Sequence, residues 1–257
     1  MTTLFVIILT RNEAAHITAC IESARFADHV IVFDSYSDDD TPRLAEAVGA
    51  ELIQRRFDNY AGQRNAALDA VSGRADWVLF VDADERVTPE LAAEVREVVL
   101  KPGYAGWRVP RYNYIFGRLT LGAGWYPDYQ TRLLRVGAAR YDPARQVHEL
   151  VLLDEAEGTL RNHLLHYNYR DVAQFVEKQR RYSAYDARIL YEQGLRPKPH
   201  NYILQPWRQF WWRFVTLKGY REGLHGLRLS LLMAWNEWRK YRLLGGLWGS
   251  AARRAPR

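Results

Sequence analysis

An α/β fold with a mostly parallel central sheet flanked by helices, continued by a helical C-terminal extension rich in aromatic and basic residues, is what this chain predicts. Three observations lead there. Short apolar runs alternate with helical patterns through the first hundred residues, the rhythm of parallel βαβ units with right-handed crossovers. One run, Val78–Val81, stops abruptly at two carboxylates, Asp82 and Asp84. Charge and tryptophan are also unevenly shared: residues 161–257 hold 19 Lys/Arg against 6 Asp/Glu, residues 1–160 hold 17 against 24, and six of the nine tryptophans lie in the basic part.

The elements follow in order. Residues 4–9 (LFVIIL) read as a strand, then Thr10-Arg11-Asn12-Glu13 and a helical pattern to about Arg25. Val30–Phe33 is a second strand ending at Asp34. The turn-like residues 35–40 lead to a helix with Thr41 as N-cap and Pro42 at its first position. Glu51–Gln54 is a third strand, residues 60–71 a helix, and residues 77–81 a strand apolar enough to be buried on both faces. Thr88-Pro89-Glu90 opens another helix with a favourable acid in its first turn. After Pro102 the pattern turns antiparallel, with strands expected at 104–110, 114–121, 130–136 and 159–166. Helix resumes at 171–193, is broken by Gly194, Pro197 and Pro199, and continues over 203–243 before a frayed basic tail from Ala251.

Composition narrows the function classes. The single cysteine, Cys20, excludes an intrachain disulfide and fits a reducing compartment. The Met-Thr-Thr start runs straight into a strand without a charged leader, so a cytoplasmic location is expected. No stretch reaches the roughly 18 to 20 apolar residues of a membrane span. There is no G-x-x-x-x-G-K-[ST] loop and no G-x-G-x-x-G turn. The net charge of +6 comes with no nucleic-acid recognition motif, so a nucleic-acid partner is not expected.

Strand ends on one edge of a sheet converge on a crevice. Thr10, Asn12, Glu13, Asp34, Arg64, Asn65, Asp82 and Asp84 all follow such ends. In extended chain, residues 82 and 84 share a face and repel unless a cation sits between them. A hard divalent ion, Mg²⁺ or Mn²⁺, carrying the diphosphate of a nucleotide meets that need. Asp34 then suits a base N–H or a ribose hydroxyl, Asp82 the ribose, and Asp84 the metal. An Asp-x-Asp phosphatase is a weaker reading, because Arg86 stands where that motif usually has Thr or Val. A sugar nucleotidyltransferase wants a Gly-rich basic loop where this chain has Thr10-Arg11-Asn12-Glu13.

Together, LTRNEAAHI, VIVFDSYSDDDT, AGQRNAAL and LFVDADER resemble the nucleotide-binding half of family 2 glycosyltransferases with the GT-A fold. Through GWYPDYQTRLLR and VHE the chain is similar to lipopolysaccharide-core glycosyltransferases of the WaaE type. The resemblance covers most of residues 3–170. It implies a catalytic domain over 1–168, with a nucleotide-binding half to residue 100 and an acceptor half beyond it. It further implies transfer of a sugar, with inversion, from a nucleotide-diphosphate donor (uridine being the commonest base) to a lipid-linked or lipopolysaccharide-core acceptor. Inversion needs a general base for the acceptor hydroxyl. Asp128, on a Trp-Tyr-Pro-Asp loop, is the candidate, with Glu149 its rival. Gln130 and Arg132 follow at alternate positions and can share a face toward diphosphate or acceptor. His166 completes the metal site by analogy with a C-terminal histidine of some GT-A enzymes, or else is a structural histidine.

Residues 169–257 read separately. Aromatics at helical spacing interleaved with arginine suit a membrane interface, which places the chain peripherally on the inner face of the cytoplasmic membrane. Packing onto the catalytic domain or a homodimer surface is the alternative. A glycosyltransferase with a soluble or protein acceptor, or a non-catalytic carbohydrate- or membrane-binding module, would leave the same sequence pattern there.

Overall fold

The computed structural model describes residues 2–143 and 150–254. These fall into two compact units, one of residues 2–112 with 128–143 and 150–167, the other of residues 113–127 with 168–254.

The first unit begins with β1 (Leu4–Thr10), α1 (Ile17–Ser23), β2 (His29–Asp34), α2 (Thr41–Ala47), β3 (Glu51–Gln54), α3 (Tyr60–Ala70) and β4 (Trp77–Asp82). The four strands lie side by side as β3-β2-β1-β4, all parallel. Their apolar runs do not alternate with polar residues because both faces are covered. Leu4, Val6 and Ile8 of β1 pack with Ile17, Cys20 and Ile21 of α1, while Phe5 and Ile7 pack with Ala61, Ala67 and Leu68 of α3. Each such fully buried aliphatic side chain contributes about 1.5 to 3 kcal/mol. Register then sets the site: Thr10 pairs with Asp34, and Leu9 with Asp82, so three strands end at one level.

The chain goes on with β5 (Glu85–Val87), α4 (Pro89–Val98), β6 (Tyr104–Ile115), β7 (Arg118–Leu119), β8 (Tyr129–Arg135), β9 (Ala139–Tyr141), β10 (Val151–Leu153), β11 (Ala156–Thr159) and β12 (Leu164–Tyr169). Strand β8 adds antiparallel to β4, and the sheet continues through β6, β12 and β5, with β7 and β11 also on β6. The first four strands are parallel, and the whole sheet is mixed. Thr88 caps α4 as its sequence predicts, accepting the Leu91 N–H at 3.2 Å ahead of Pro89.

Three boundaries differ from the sequence reading. Residues 104–110 and 114–121 are not two strands: β6 runs unbroken for 12 residues and turns at Phe116-Gly117, both at positive φ, into the two-residue β7. Such a hairpin turn normally announces itself as Asn-Gly, and Phe-Gly hides it. The strand expected at 159–166 is split: Leu160 still donates to the Arg108 carbonyl of β6, but the Glu94 carboxylate then captures the N–H groups of Arg161 and Asn162 and breaks the ladder. Thr41 does not cap α2. It is the first helical residue, and its hydroxyl instead accepts the Glu13 N–H at 2.8 Å, tying the loop after β1 to the start of α2.

The second unit contains α5 (Val172–Glu192), α6 (Asn201–Trp211), a π-helical turn (Trp212–Thr216), a 3₁₀ turn (Gly219–Glu222) and α7 (Leu224–Arg254). Asp171 caps α5 through the Gln174 N–H. Ile115, Tyr169, Phe175 and Leu229 form one small core, and Ala187, Tyr241 and Leu244 another. Helix α7 passes the point where the sequence suggests fraying and reaches Arg254. Among the described residues no helix is long and apolar enough to cross a membrane.

Candidate functional site

The carboxyl ends of β1, β2 and β4 bring Thr10, Asp34 and Asp82 to one edge, as the sequence predicts. Thr10 is buried, and its hydroxyl oxygen makes no hydrogen bond. An orphan buried hydroxyl costs about 1 to 3 kcal/mol, and such groups mark sites where another partner belongs. Asn12 adopts the left-handed region (φ 57) that asparagine tolerates better than most residues. Its side-chain Oδ1 accepts the Asp38 N–H, and its backbone N–H donates to the Ser37 hydroxyl. Glu13 caps the next turn with its backbone carbonyl, which accepts from His16 and Ile17.

Asp34 departs from expectation. The sequence reading has it facing a nucleotide, yet it is wholly buried and its oxygens accept from Ser37 N–H (2.9 Å), Ser37 Oγ (2.5 Å) and Gln54 Nε2 (2.9 Å). It ties the loop after β2 to β3. Asn65 is likewise committed: its amide brackets the Tyr141 backbone, donating to the carbonyl and accepting the N–H, both at 2.9 Å.

Asp82 and Asp84 are not held in extended chain as the sequence implies. The chain turns at Ala83-Asp84, with the Asp82 N–H donated to Glu85 Oε2 at 2.9 Å, and the two carboxylates take different partners. Asp82 receives both terminal nitrogens of Arg132 and, at 3.3 Å, Arg64 Nη2. Two arginines of the protein thus supply positive charge to Asp82, to which the sequence reading gives a ribose contact. Burial opposes its ionisation, but the charges of Arg132 and Arg64 outweigh that and hold the carboxyl well below the ordinary range. Asp84 instead lies 3.6 Å from His166 Nε2, both side chains largely covered. These two proposed metal ligands, 82 residues apart in sequence, are brought together.

Glu85 is the residue sequence reasoning missed. It is fully buried, accepts Arg111 Nη1 at 3.0 Å and lies 3.8 Å from Arg132 Nη2. Arg111 in turn donates to Asp128 Oδ2 through Nε (3.0 Å) and Nη2 (2.7 Å), and Gln130 Nε2 reaches Asp128 Oδ1 at 3.0 Å. One chain of contacts thus runs Arg64, Asp82, Arg132, Glu85, Arg111, Asp128, Gln130, with three guanidinium groups balancing three carboxylates. Burial lowers the acidity range of Arg111 and Arg132, but the neighbouring carboxylates more than offset it and keep both firmly protonated. Glu85 stands within LFVDADER; Arg111 has no sequence signal beyond a strand position. A cavity of about 130 Å³ opens beside Tyr129, Gln130, Arg132 and Tyr141.

Two other predictions are placed or bounded. Cys20 is buried, its thiol donating to the Asp82 carbonyl at 3.5 Å, and burial pushes its pKa far up, so it packs and does not react. Glu149, the rival base, lies outside the described residues. Among those that are described, no three His, Cys, Asp or Glu side chains cluster to hold a metal alone. A carboxylate with one imidazole nevertheless fits an ion whose other ligands are substrate phosphate and water, as Mg²⁺ and Mn²⁺ commonly take.

Comparison with known proteins bears on this arrangement. The glycosyl transferase family 2 model matches residues 5–140. The chain is 30% identical over 253 residues to the lipopolysaccharide core biosynthesis glycosyltransferase LpsC of Rhizobium meliloti, covering 88% of each. It is 30% identical to an uncharacterized glycosyltransferase of Rickettsia bellii, covering 80% of this chain and 73% of that one. Among solved structures it is similar to Staphylococcus aureus TarS in complex with UDP (14% identity, 97% and 92% coverage, TM-score 0.47). Another is the Mycobacterium tuberculosis glucosyl-3-phosphoglycerate synthase with Mn²⁺ and UDP (25% identity, 42% and 43% coverage, TM-score 0.38). On the family match and the near-full-length relative, the chain belongs to glycosyltransferase family 2 and is a glycosyltransferase.

Proposed function

We propose that the chain moves a sugar from a nucleotide-diphosphate donor, UDP-linked in the first instance, to a hydroxyl of a lipid-linked or lipopolysaccharide-core glycan, with inversion at the anomeric carbon and at the inner membrane face. The observation that carries this is the convergence at one sheet edge of the orphan Thr10 hydroxyl, the Asp84–His166 pair and the Asp82–Asp128 charge chain. Near-full-length similarity to a lipopolysaccharide-core enzyme favours the lipid-linked acceptor over a soluble one.

Residue roles follow from the contacts. Thr10, with the loop of Asn12 and Glu13, receives the nucleotide above the Asp34 turn. Asp84 and His166 would hold a divalent cation, which when bound supplies charge stabilisation to the leaving diphosphate. Asp82 acts as an anchor for Arg64 and Arg132, whose fixed positive charge faces the same edge. Asp128 takes the acceptor proton as the acceptor oxygen bonds to the anomeric carbon; the bond to the diphosphate breaks on the opposite face, and the nucleoside diphosphate leaves. Arg111 and Gln130 fix the orientation of Asp128, and Glu85 holds Arg111 from its other side. Glu149 is the competing base.

Donor-dependent release of nucleoside diphosphate onto a glycan acceptor tests the reading. Asp128→Asn is expected to lower turnover roughly 100-fold or more while donor affinity stays. Unchanged turnover in Asp128→Asn with loss in Glu149→Gln would transfer the role to Glu149. Activity intact in both would defeat the base assignment altogether.

A further inference from the structure

Helix α6 turns its most apolar face outward. On a helical projection Ile203, Leu204, Trp207 and Trp211 fall within an arc of about 100°. They are 73%, 55%, 58% and 51% exposed, and no residue of α6 is buried. The face continues into the π-helical turn with exposed Trp212 and Val215. It is contiguous: ring centroids step from Trp211 to Trp207 (6.0 Å), Trp207 to Phe210 (6.0 Å) and Phe210 to Phe214 (5.4 Å). A connected apolar surface of this kind marks a place of association.

Charge decides what associates. Residues 193–221 contain Arg196, Lys198, Arg208, Arg213, Lys218 and Arg221, and no Asp or Glu. Arg208, at the edge of the apolar arc, and Lys218 and Arg221, in the turns that follow α6, are exposed. A second copy of the chain would bring two such acid-free segments face to face, since a twofold interface repeats the same patch on both sides. That arrangement sets like charges together without a counter-charge. An anionic lipid surface has the complementary sign, and indoles prefer its headgroup level.

We propose that α6 and the π-helical turn form a docking surface for an anionic lipid bilayer. Ile203, Leu204, Trp207, Trp211 and Trp212 enter the headgroup–acyl boundary, and Arg208, Lys218 and Arg221 meet lipid phosphates. The helix lies in the interface plane and does not cross it. The surface belongs wholly to the second unit; it extends the lipid-linked-acceptor reading but does not depend on the catalytic assignments.

Flotation of the full chain with vesicles tests this. The wild type is expected to float with phosphatidylcholine vesicles containing phosphatidylglycerol, less with phosphatidylcholine alone, and less as salt rises. A Trp207→Ser/Trp211→Ser variant is expected to bind roughly tenfold or more weakly, with unchanged circular dichroism because both indoles are exposed. Arg208→Glu is expected to weaken binding to the anionic vesicles only. The proposal fails if the wild type does not float, or if the double variant floats as well as the wild type. It also fails if light scattering shows a dimer that the double variant splits while vesicle binding stays the same. Absence of donor binding in the wild type would defeat the glycosyl-transfer reading and leave vesicle binding standing, so the two failures are separable.

Discussion

Substituting Glu85 by Gln removes one of three negative charges from the buried cluster and leaves Arg64, Arg111 and Arg132 facing only Asp82 and Asp128. The geometry sets the size of the effect. Glu85 is 0% exposed, 3.0 Å from Arg111 and 3.8 Å from Arg132, so solvent cannot replace what is lost. A charge pair about 4 Å apart at an effective dielectric of 20 is worth about 4 kcal/mol, and breaking a buried pair by removing one partner costs about 3 to 5 kcal/mol. Glutamine keeps one oxygen for Arg111 or the Asp82 N–H, which places the expected loss near the lower end, about 3 kcal/mol. That is a large share of the roughly 5 to 15 kcal/mol of a typical domain. Urea unfolding at neutral pH reads it as a lower midpoint at unchanged slope. The double variant Glu85→Gln/Arg111→Met is expected to lose less than the sum of the single losses, because removing both charges restores balance. A loss below about 1 kcal/mol, or strict additivity in that cycle, would refute the picture of a balanced buried chain.

Three further outcomes are expected. Asn65→Ala removes both hydrogen bonds to the Tyr141 backbone and should cost about 1 to 3 kcal/mol in the same unfolding experiment; a neutral result would mean that water replaces them. Gly158→Ala should cost about 1 to 3 kcal/mol, because a Cβ there would lie 2.1 Å from the buried Trp107 ring, and tryptophan fluorescence should report the displacement. Glu51 is held at about 2, below its ordinary 4.5, by the Arg74 guanidinium first, against burial, and then by His29. Its folded pKa is lowered, so its stabilisation is present above pH 4.5 and lost as pH falls toward 2, and Glu51→Gln should flatten the acid limb of the stability profile over that window.

The parallel half was legible because its signals are local and mutually consistent. Unbroken apolar runs, a strand every 25 residues or so, and capping residues such as Thr88 all point one way, and register alone then brings Thr10, Asp34 and Asp82 to one edge. The Asp84–His166 meeting came from resemblance and not from spacing. The partners of Asp82 were not legible at all. Sequence places an Asp-x-Asp at a strand end but does not reveal that Arg132, 50 residues on, will pair with Asp82, or that the chain turns at Ala83-Asp84. Buried Glu85 was hidden for the same reason: an acid next to two others reads as surface charge until an antiparallel strand supplies Arg111. The Phe116-Gly117 turn and the Glu94-held loop escaped because neither uses the residues that usually announce a turn.

The central claim is that this sheet edge binds a nucleotide-diphosphate sugar through Asp84 and His166. Thermal unfolding with a panel of nucleotide sugars, with and without Mn²⁺, tests it most directly. A donor present at about 100 times its dissociation constant should stabilise the fold by about 2.7 kcal/mol, roughly 5 to 10 °C for a chain of this size. That rise should require the metal and vanish in Asp84→Ala, whose own melting temperature without donor stays near the wild type's. No rise with any nucleotide sugar, or a full rise that persists in Asp84→Ala, would contradict the account.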